Sequence, residues 1–74
     1  MEKEFLERLN QHRGIIHRIA KVYMPDPSER KDLVQEMVFQ LWKSYRSFKG
    51  NSSFSTWMYK VCLNTALTYV KGFL

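Results

Sequence analysis

The chain has 74 residues, 45% of them apolar, and a net charge of +5. This length allows one small domain, and the single cysteine excludes an internal disulfide. Because no apolar run approaches the roughly 20 residues of a membrane span, a cytoplasmic protein is expected. All seven acidic residues lie within residues 1–36, so residues 37–74 carry the whole net charge. We therefore expect the second half of the chain to bind a polyanion such as nucleic acid.

The first helix is predicted from about Lys3 to Tyr23, because apolar side chains recur there at helical spacing. Gly14 is a weak point within it. Residues 24–27 end this helix, since they include two prolines, which donate no amide hydrogen and disfavour a helical residue before them. A second helix is expected directly afterwards.

The second helix is predicted from about Pro27 to Phe48, with Asp26 as its N-cap. Its apolar face comprises Val34, Met37, Val38, Leu41, Tyr45 and Phe48. Its polar face comprises Asp32, Gln35, Glu36, Gln40 and Lys43. Phe39 lies in the middle of the polar face with Trp42 at the border, and an aromatic among charges is typical of a protein-interface anchor. The alternative is that the N-terminal arm or a loop covers Phe39.

The third helix is predicted from Phe54 to Lys71, after a turn-forming segment at residues 49–53. Ser53 is its expected N-cap and Gly72 its C-terminal stop. One apolar side comprises Phe54, Met58, Val61, Thr65 and Tyr69, and another comprises Tyr59, Leu63, Leu67 and Val70. The narrow polar stripe comprises Lys60, Asn64, Thr68 and Lys71, with Trp57 at its leading edge. Apolar residues on two sides favour burial in a bundle.

Enzymatic and metal-binding patterns are missing from the sequence. His12 and His17 are five residues apart on one helix, so they do not share a face, and no cysteine or carboxylate pair completes a metal site. The sequence also lacks a glycine-rich phosphate loop. Cys62 is expected to be a buried structural thiol. We therefore expect a protein that is not an enzyme and that needs no cofactor.

The segment from residue 49 to residue 64 combines a small polar loop with an aromatic-rich helix that has no acid. Proteins bind single-stranded nucleic acid with lysines along its phosphate backbone and with aromatic ring faces or pockets for its bases. A helix N-terminus adds free amides and a positive dipole end, which attract phosphate. The segment is therefore a candidate single-strand site. The alternative is that Phe54, Trp57 and Tyr59 are core aromatics and the lysines are solvated.

Residues in both halves of the chain resemble region 2 of bacterial extracytoplasmic-function (ECF) sigma factors of the sigma-70 family. The matching residues are Asp32-Leu33-Val34-Gln35-Glu36, Phe39, Leu41-Trp42, Phe48, Gly50, Phe54-Ser55-Thr56-Trp57-Met58-Tyr59 and Asn64. The resemblance covers essentially all of residues 1–74 and implies a compact all-α bundle of three helices, or four with a short extra turn. It implies a promoter-recognition domain that acts in transcription initiation. Region 4, the helix-turn-helix domain of such factors, is expected to be absent from this chain.

The resemblance also implies roles for individual residues. The second helix would dock on the β′ clamp helices of RNA polymerase through Asp32, Gln35, Glu36, Phe39, Gln40 and Lys43. The loop at residues 51–56 would enclose a base flipped out of the non-template strand of the minus-ten promoter element, with Lys60 and Asn64 along that strand. With the polar stripe included, the predicted DNA-binding residues are Asn51, Ser52, Ser53, Ser55, Thr56, Trp57, Lys60, Asn64, Thr68 and Lys71. An anti-sigma factor is a further implied partner, whereas membrane and small-molecule partners are not expected.

One departure from the wider sigma family concerns DNA melting. Lys60 and Val61 occupy the positions where housekeeping sigma factors carry an adjacent pair of tryptophans, so this chain is expected to melt DNA less strongly. Two other functions remain open. One is a helical protein-interaction module that uses the Phe39 face without DNA, and the other is a duplex binder whose affinity depends steeply on salt.

Overall fold

The computed structural model describes residues 2–72, and these residues form four α-helices without a strand. The helices are α1 (Glu2–Gln11), α2 (Arg13–Tyr23), α3 (Pro27–Ser44) and α4 (Phe54–Lys71). A 3-10 turn, Tyr45–Ser47, follows α3 directly. The prediction of an all-α helical bundle is confirmed. None of the helices within residues 2–72 is both long enough and apolar enough to cross a membrane.

The first predicted helix is in fact two helices, because the chain breaks at His12 instead of continuing from Lys3 to Tyr23. The His12 amide donates to the Leu9 carbonyl at 3.1 Å, one residue short of its regular helical partner. The ring nitrogen Nδ1 of His12 lies 3.0 Å from the Arg8 carbonyl oxygen, the acceptor that the His12 amide leaves free. The ring therefore replaces the amide, and the prediction of one continuous helix was wrong.

α3 begins at the predicted residue because two local signals coincide. The Asp26 carboxylate accepts hydrogen bonds from the Ser28 hydroxyl at 2.8 Å and from the Ser28 amide at 2.9 Å, and Pro27 occupies the first helical position. These bonds lower the pKa of the Asp26 carboxyl group below its ordinary value. The helix ends at Ser44 rather than at the predicted Phe48, because the chain tightens into the 3-10 turn.

The core lies where α2, α3 and α4 meet. Its fully buried side chains on α3 are Leu33, Met37 and Leu41, and those on α4 are Met58, Cys62 and Ala66. The other buried side chains are Phe5, Ile16, Ile19, Ala20, Met24 and Tyr45. The apolar face predicted for the second helix included Val34 but not Leu33. In the structure Val34 is only half-buried, whereas Leu33 is buried. Leu33 lies four and eight residues before the buried Met37 and Leu41, so it shares their face of the helix. The prediction that Cys62 is a buried thiol is confirmed.

The two apolar sides of α4 are buried to different extents. Met58, Cys62 and Ala66 follow one another at four-residue spacing and form the fully buried stripe. On the second side, Tyr59 is 50% exposed and Leu67 is 43% exposed. The fully buried stripe alone brings α4 into contact with both α2 and α3. The burial expected for the second apolar side of α4 is therefore only partial.

We expect the stability of this fold to decrease above about pH 9 because of Cys62. Burial raises the pKa of its thiol from the ordinary value of 9.0 to about 12. Between these values the unfolded chain loses the thiol proton and the folded chain keeps it, so rising pH favours unfolding. Urea midpoints from neutral pH to about pH 10.5 should therefore decrease more steeply in the natural chain than in Cys62→Ala, which keeps every other titrating group. Equal decreases would contradict this role of the thiol.

Candidate functional site

Phe39 is accessible on the surface of α3, and neither α1 nor a loop covers it. Its exposed fraction is 55%, and Lys43 Nζ lies 5.9 Å from the centroid of its ring. A cation at this distance from an exposed ring contributes about 0.5–1 kcal/mol. The neighbouring Trp42 packs its ring against Phe5 of α1, with the ring centroids 5.1 Å apart. α1 therefore supports the border of this face and leaves its central aromatic accessible.

The six residues predicted to dock on polymerase share one face of α3. Asp32, Gln35, Phe39 and Lys43 are exposed, and Glu36 and Gln40 are half-buried. Gln40 Nε2 donates to Glu36 Oε1 at 3.0 Å, which orients both side chains. Because the six residues recur at spacings of three and four, they form one surface with charges of both signs.

A groove between α3 and α4 joins the two predicted residue sets. It is lined by Glu36, Gln40, Asn64, Thr65, Thr68 and Tyr69, and its volume is about 310 Å³. Glu36 and Gln40 belong to the predicted docking set, whereas Asn64 and Thr68 belong to the predicted DNA-binding set. The other two lining residues were expected only on an apolar side of α4, because the periodicity of one helix contains no information about its neighbour. Ligands bound to the two sets would meet along this groove.

The loop before α4 is fixed by backbone conformation and by an N-cap. Gly50 has a φ of +74°, a left-handed conformation that favours glycine. The Ser53 hydroxyl accepts a hydrogen bond from the Thr56 amide at 3.2 Å, so the prediction of Ser53 as the N-cap is confirmed. The same hydroxyl donates to Thr56 Oγ1 at 2.9 Å. The Ser53 hydroxyl is therefore engaged within the chain. Ser52 Oγ donates to the Ser53 carbonyl at 3.3 Å, and the side chains of Asn51 and Ser52 are exposed at the loop surface.

Four aromatic side chains form a cluster at the foot of the loop, and we call Tyr45, Phe48, Phe54 and Trp57 the aromatic cluster. Phe48 and Phe54 stand at the two ends of the loop, and their ring centroids are 5.8 Å apart. The Trp57 ring centroid lies 5.0 Å from that of Phe48 and 5.3 Å from that of Phe54. Trp57 is half-buried, so its packing agrees with the core interpretation. A DNA contact by its exposed edge stays a prediction.

Polar contacts connect α1 to the aromatic cluster. The Tyr45 hydroxyl donates to Glu4 Oε1 at 3.2 Å, and Arg8 Nη2 lies 3.4 Å from the same oxygen. Burial, with a further contribution from the hydrogen bond to Glu4, raises the pKa of the Tyr45 phenol above its ordinary value. The sequence did not indicate Arg8 as a site residue, because it lies in an acid-rich segment far from the loop along the chain.

The polar stripe of α4 is exposed along its whole length. Its members are Lys60, Asn64, Thr68 and Lys71. The remaining predicted DNA-binding residues lie in the first turn of α4, where Ser55 is half-buried and Thr56 is exposed. At 1.5 Å per residue, the stripe is about 16 Å long, and α4 contains no acidic residue. The stripe therefore provides an exposed polar surface with a lysine near each end, and it begins near the loop.

The profile of the Sigma-70 region 2 family matches residues 9–72 of the chain. The match includes all of α2, α3, the loop and α4. The chain belongs to the Sigma-70 region 2 family. Membership of this region 2 family confirms the resemblance found in the sequence and agrees with the prediction that the protein is not an enzyme. No solved structure gives a significant match to this region 2 domain.

Curated relatives of this region 2 domain are sigma factors of the ECF class. The ECF RNA polymerase sigma factor SigG of Mycobacterium tuberculosis (strain ATCC 25618 / H37Rv) is 43% identical over 44 residues, which are 60% of this chain and 12% of the relative. The ECF RNA polymerase sigma-E factor of Escherichia coli (strain K12) is 35% identical over 57 residues, which are 73% of this chain and 29% of the relative. The chain therefore spans less than a third of the length of these relatives.

Ser53→Ala should destabilise this region 2 domain by roughly 1 kcal/mol, because α4 then loses the hydrogen-bond acceptor at its N-terminus. Ser53→Thr keeps a hydroxyl at the same position and should remain close to the natural chain in stability. Urea unfolding followed by circular dichroism measures both differences. An alanine variant as stable as the threonine variant would show that the cap contributes little.

Proposed function

We propose that this region 2 domain is the promoter-recognition module of an ECF sigma factor. In this proposal α3 docks on the β′ clamp helices of RNA polymerase, while the loop and α4 hold the non-template strand of the minus-ten element. The observation that carries the proposal is the groove between α3 and α4, because its lining comes from both predicted residue sets. A domain that recruits polymerase to a promoter must bind both ligands at once, and the groove brings the two predicted surfaces side by side.

Docking through α3 is supported by the accessible ring of Phe39. More than half of this large apolar side chain faces solvent among charged residues, and burying apolar surface contributes about 25 cal/mol per Å². Aromatic anchors surrounded by polar groups commonly supply most of the binding energy of an interface. Asp32, Glu36 and Lys43 place charges of both signs around this anchor, which favours a partner of complementary pattern.

Strand binding is supported by the charge distribution along α4. The free amides of its first turn lie at the positive end of the helix dipole, where phosphate is favoured. Lys60 and Lys71 extend this positive surface, and no acidic residue of α4 opposes it. Asn64 lies between the two lysines and offers both a donor and an acceptor to a base edge.

The loop is the proposed pocket for a base flipped out of the strand. Extraction of a base costs a few kcal/mol of unstacking, which the pocket and the phosphate contacts must offset. Asn51 and Ser52 are exposed there and supply donors and acceptors for a base edge. The aromatic cluster and the N-cap hold both ends of the loop, so little order has to be gained on binding. The domain thus captures a melted strand without altering it chemically.

A helical protein-interaction module is the second candidate, because the exposure of Phe39 favours it as well. Such a module would bind the clamp helices, or another helical partner, without selecting a DNA strand. Strand binding is therefore the property that separates the two functions.

Fluorescence anisotropy with labelled minus-ten-like single strands, the matching duplexes and a β′ clamp-helix fragment tests this proposal. We expect the chain to prefer one strand sequence over its duplex and to bind it more tightly with the fragment present. Phe39→Ala should weaken binding of the clamp fragment at least tenfold, because it removes the central anchor. Val22→Ala shortens a 71% exposed apolar side chain on α2 and is the matched control without an expected effect.

Asn64→Ala should weaken strand binding roughly fivefold and leave clamp binding unchanged, since it removes one hydrogen-bonding amide from the strand surface. Asn10→Ala removes an exposed amide from α1 and serves as its control. Clamp binding without any strand selectivity would support the protein-interaction module instead. Binding to neither ligand would contradict the proposed function.

A further inference from the structure

We infer that Arg8 of α1 is a further strand-binding residue, which contacts a phosphate of the strand where it enters the loop. The inference rests on the proposed function, because it adds a cation from the first helix to the same strand site. Every strand-binding residue predicted from the sequence follows residue 50. Arg8 lies outside that segment and comes to the loop only through the fold.

Arg8 lies against both ends of the loop. Its guanidinium carbon Cζ is 5.6 Å from the ring centroid of Phe54 and 6.0 Å from that of Phe48. These two rings belong to the residues that directly flank residues 49–53. The Arg8 side chain is 41% exposed, so the guanidinium is open to solvent on one side. A strand entering the loop therefore meets this cation beside the aromatic cluster.

The ion pair between Arg8 and Glu4 is weak enough to exchange for a phosphate. The distance between Arg8 Nη2 and Glu4 Oε1 is 3.4 Å, and the Glu4 side chain is 59% exposed. Exposed pairs of this kind contribute about 0–1 kcal/mol, and hydrogen bonds from arginine to phosphate are among the stronger ones. Glu4 also accepts a hydrogen bond from the Tyr45 hydroxyl, so its carboxylate has a second partner besides Arg8. Glu4 and a phosphate thus compete for one guanidinium.

The chemistry of arginine suits this position better than that of lysine. A planar guanidinium packs on aromatic rings and still presents N–H donors at its edge. Contacts with Phe48 and Phe54 restrict the side chain before a strand arrives, so less conformational entropy is lost on binding. His12, whose ring centroid is 5.5 Å from that of Phe54, closes the same side of the cluster. Arg8 of α1 and His12 at the break after α1 therefore both lie against the aromatic cluster next to the loop.

A purely structural role for Arg8 makes a different prediction. In that case Arg8 would only hold α1 on the aromatic cluster, and its removal would lower stability without removing a phosphate contact. Salt dependence distinguishes the two roles, because each phosphate contact with a single strand adds about 0.7 to the slope of log K against log salt.

Strand binding by the whole chain, measured by anisotropy over a range of salt concentrations, tests the inference. Arg8→Ala should weaken binding roughly tenfold at low salt and make the slope shallower by about 0.7. Arg8→Lys should keep the slope, because the charge remains, with an affinity between the two. Arg18→Ala removes the same charge from an exposed position on α2 and should leave the slope unchanged. Thermal unfolding of each variant shows which losses come from stability.

Glu4→Gln provides an independent measurement. With the competing carboxylate removed, strand affinity should rise about twofold to fivefold in the natural background. In the Arg8→Ala background, Glu4→Gln should raise strand affinity by a smaller factor, because there is no guanidinium to release from the ion pair with Glu4.

The outcomes separate this inference from the proposed function. If the natural chain binds the strand but Arg8→Ala keeps the full slope, Arg8 has no phosphate contact and the inference is overturned while the proposed function stands. If the natural chain selects no strand, both fall. A shallower slope in Arg8→Ala, absent from Arg18→Ala, supports both.

Discussion

The close packing of α4 against α2 and α3 is the constraint on which the other surfaces depend. Met58, Cys62 and Ala66 are completely buried, and two of these three side chains are small, which allows the helix to approach its neighbours closely. The buried stripe fixes the rotation of α4, so it also fixes the polar stripe on the opposite side of the helix. A larger side chain at position 62 or 66 would push α4 away from the helices on which it packs. The groove would then widen although none of its lining residues had changed.

The loop depends on a second set of contacts, which makes a short polar segment rigid. Gly50 supplies the left-handed turn, Ser53 caps α4, and Phe48 and Phe54 pack together across the two ends of the loop. Binding residues on loops are effective when a rigid scaffold positions them. Here the scaffold includes α1, since the Tyr45 hydroxyl of the aromatic cluster donates to a carboxylate on that helix. The loop is therefore supported by elements from both ends of the chain.

Much of the fold follows from local signals, whereas the site depends on packing. The start of α3 and both ends of α4 were predictable, because caps such as Asp26 and Ser53 act on amides within a few residues. The break at His12 was not predictable. It depends on a contact between the His12 ring nitrogen and the Arg8 carbonyl, in place of the helical amide hydrogen bond, and the spacing of apolar residues contains no information about such a contact. The family pattern indicated docking and strand residues one by one. Neither the groove nor the position of Arg8 could be predicted, since both require distances between helices that are remote in sequence.

The break at His12 also separates α1 from α2. α1 has one fully buried side chain, Phe5, and is separate from α2, so we expect its local opening to require less free energy than global unfolding. Opening would uncover the inner side of Trp42 at the border of the α3 face and remove Arg8 from Phe54 at the loop. One small unit thus controls the order of two separate surfaces. A ligand that ordered α1 from one of these surfaces would therefore also order the other, without a change in the folded structure.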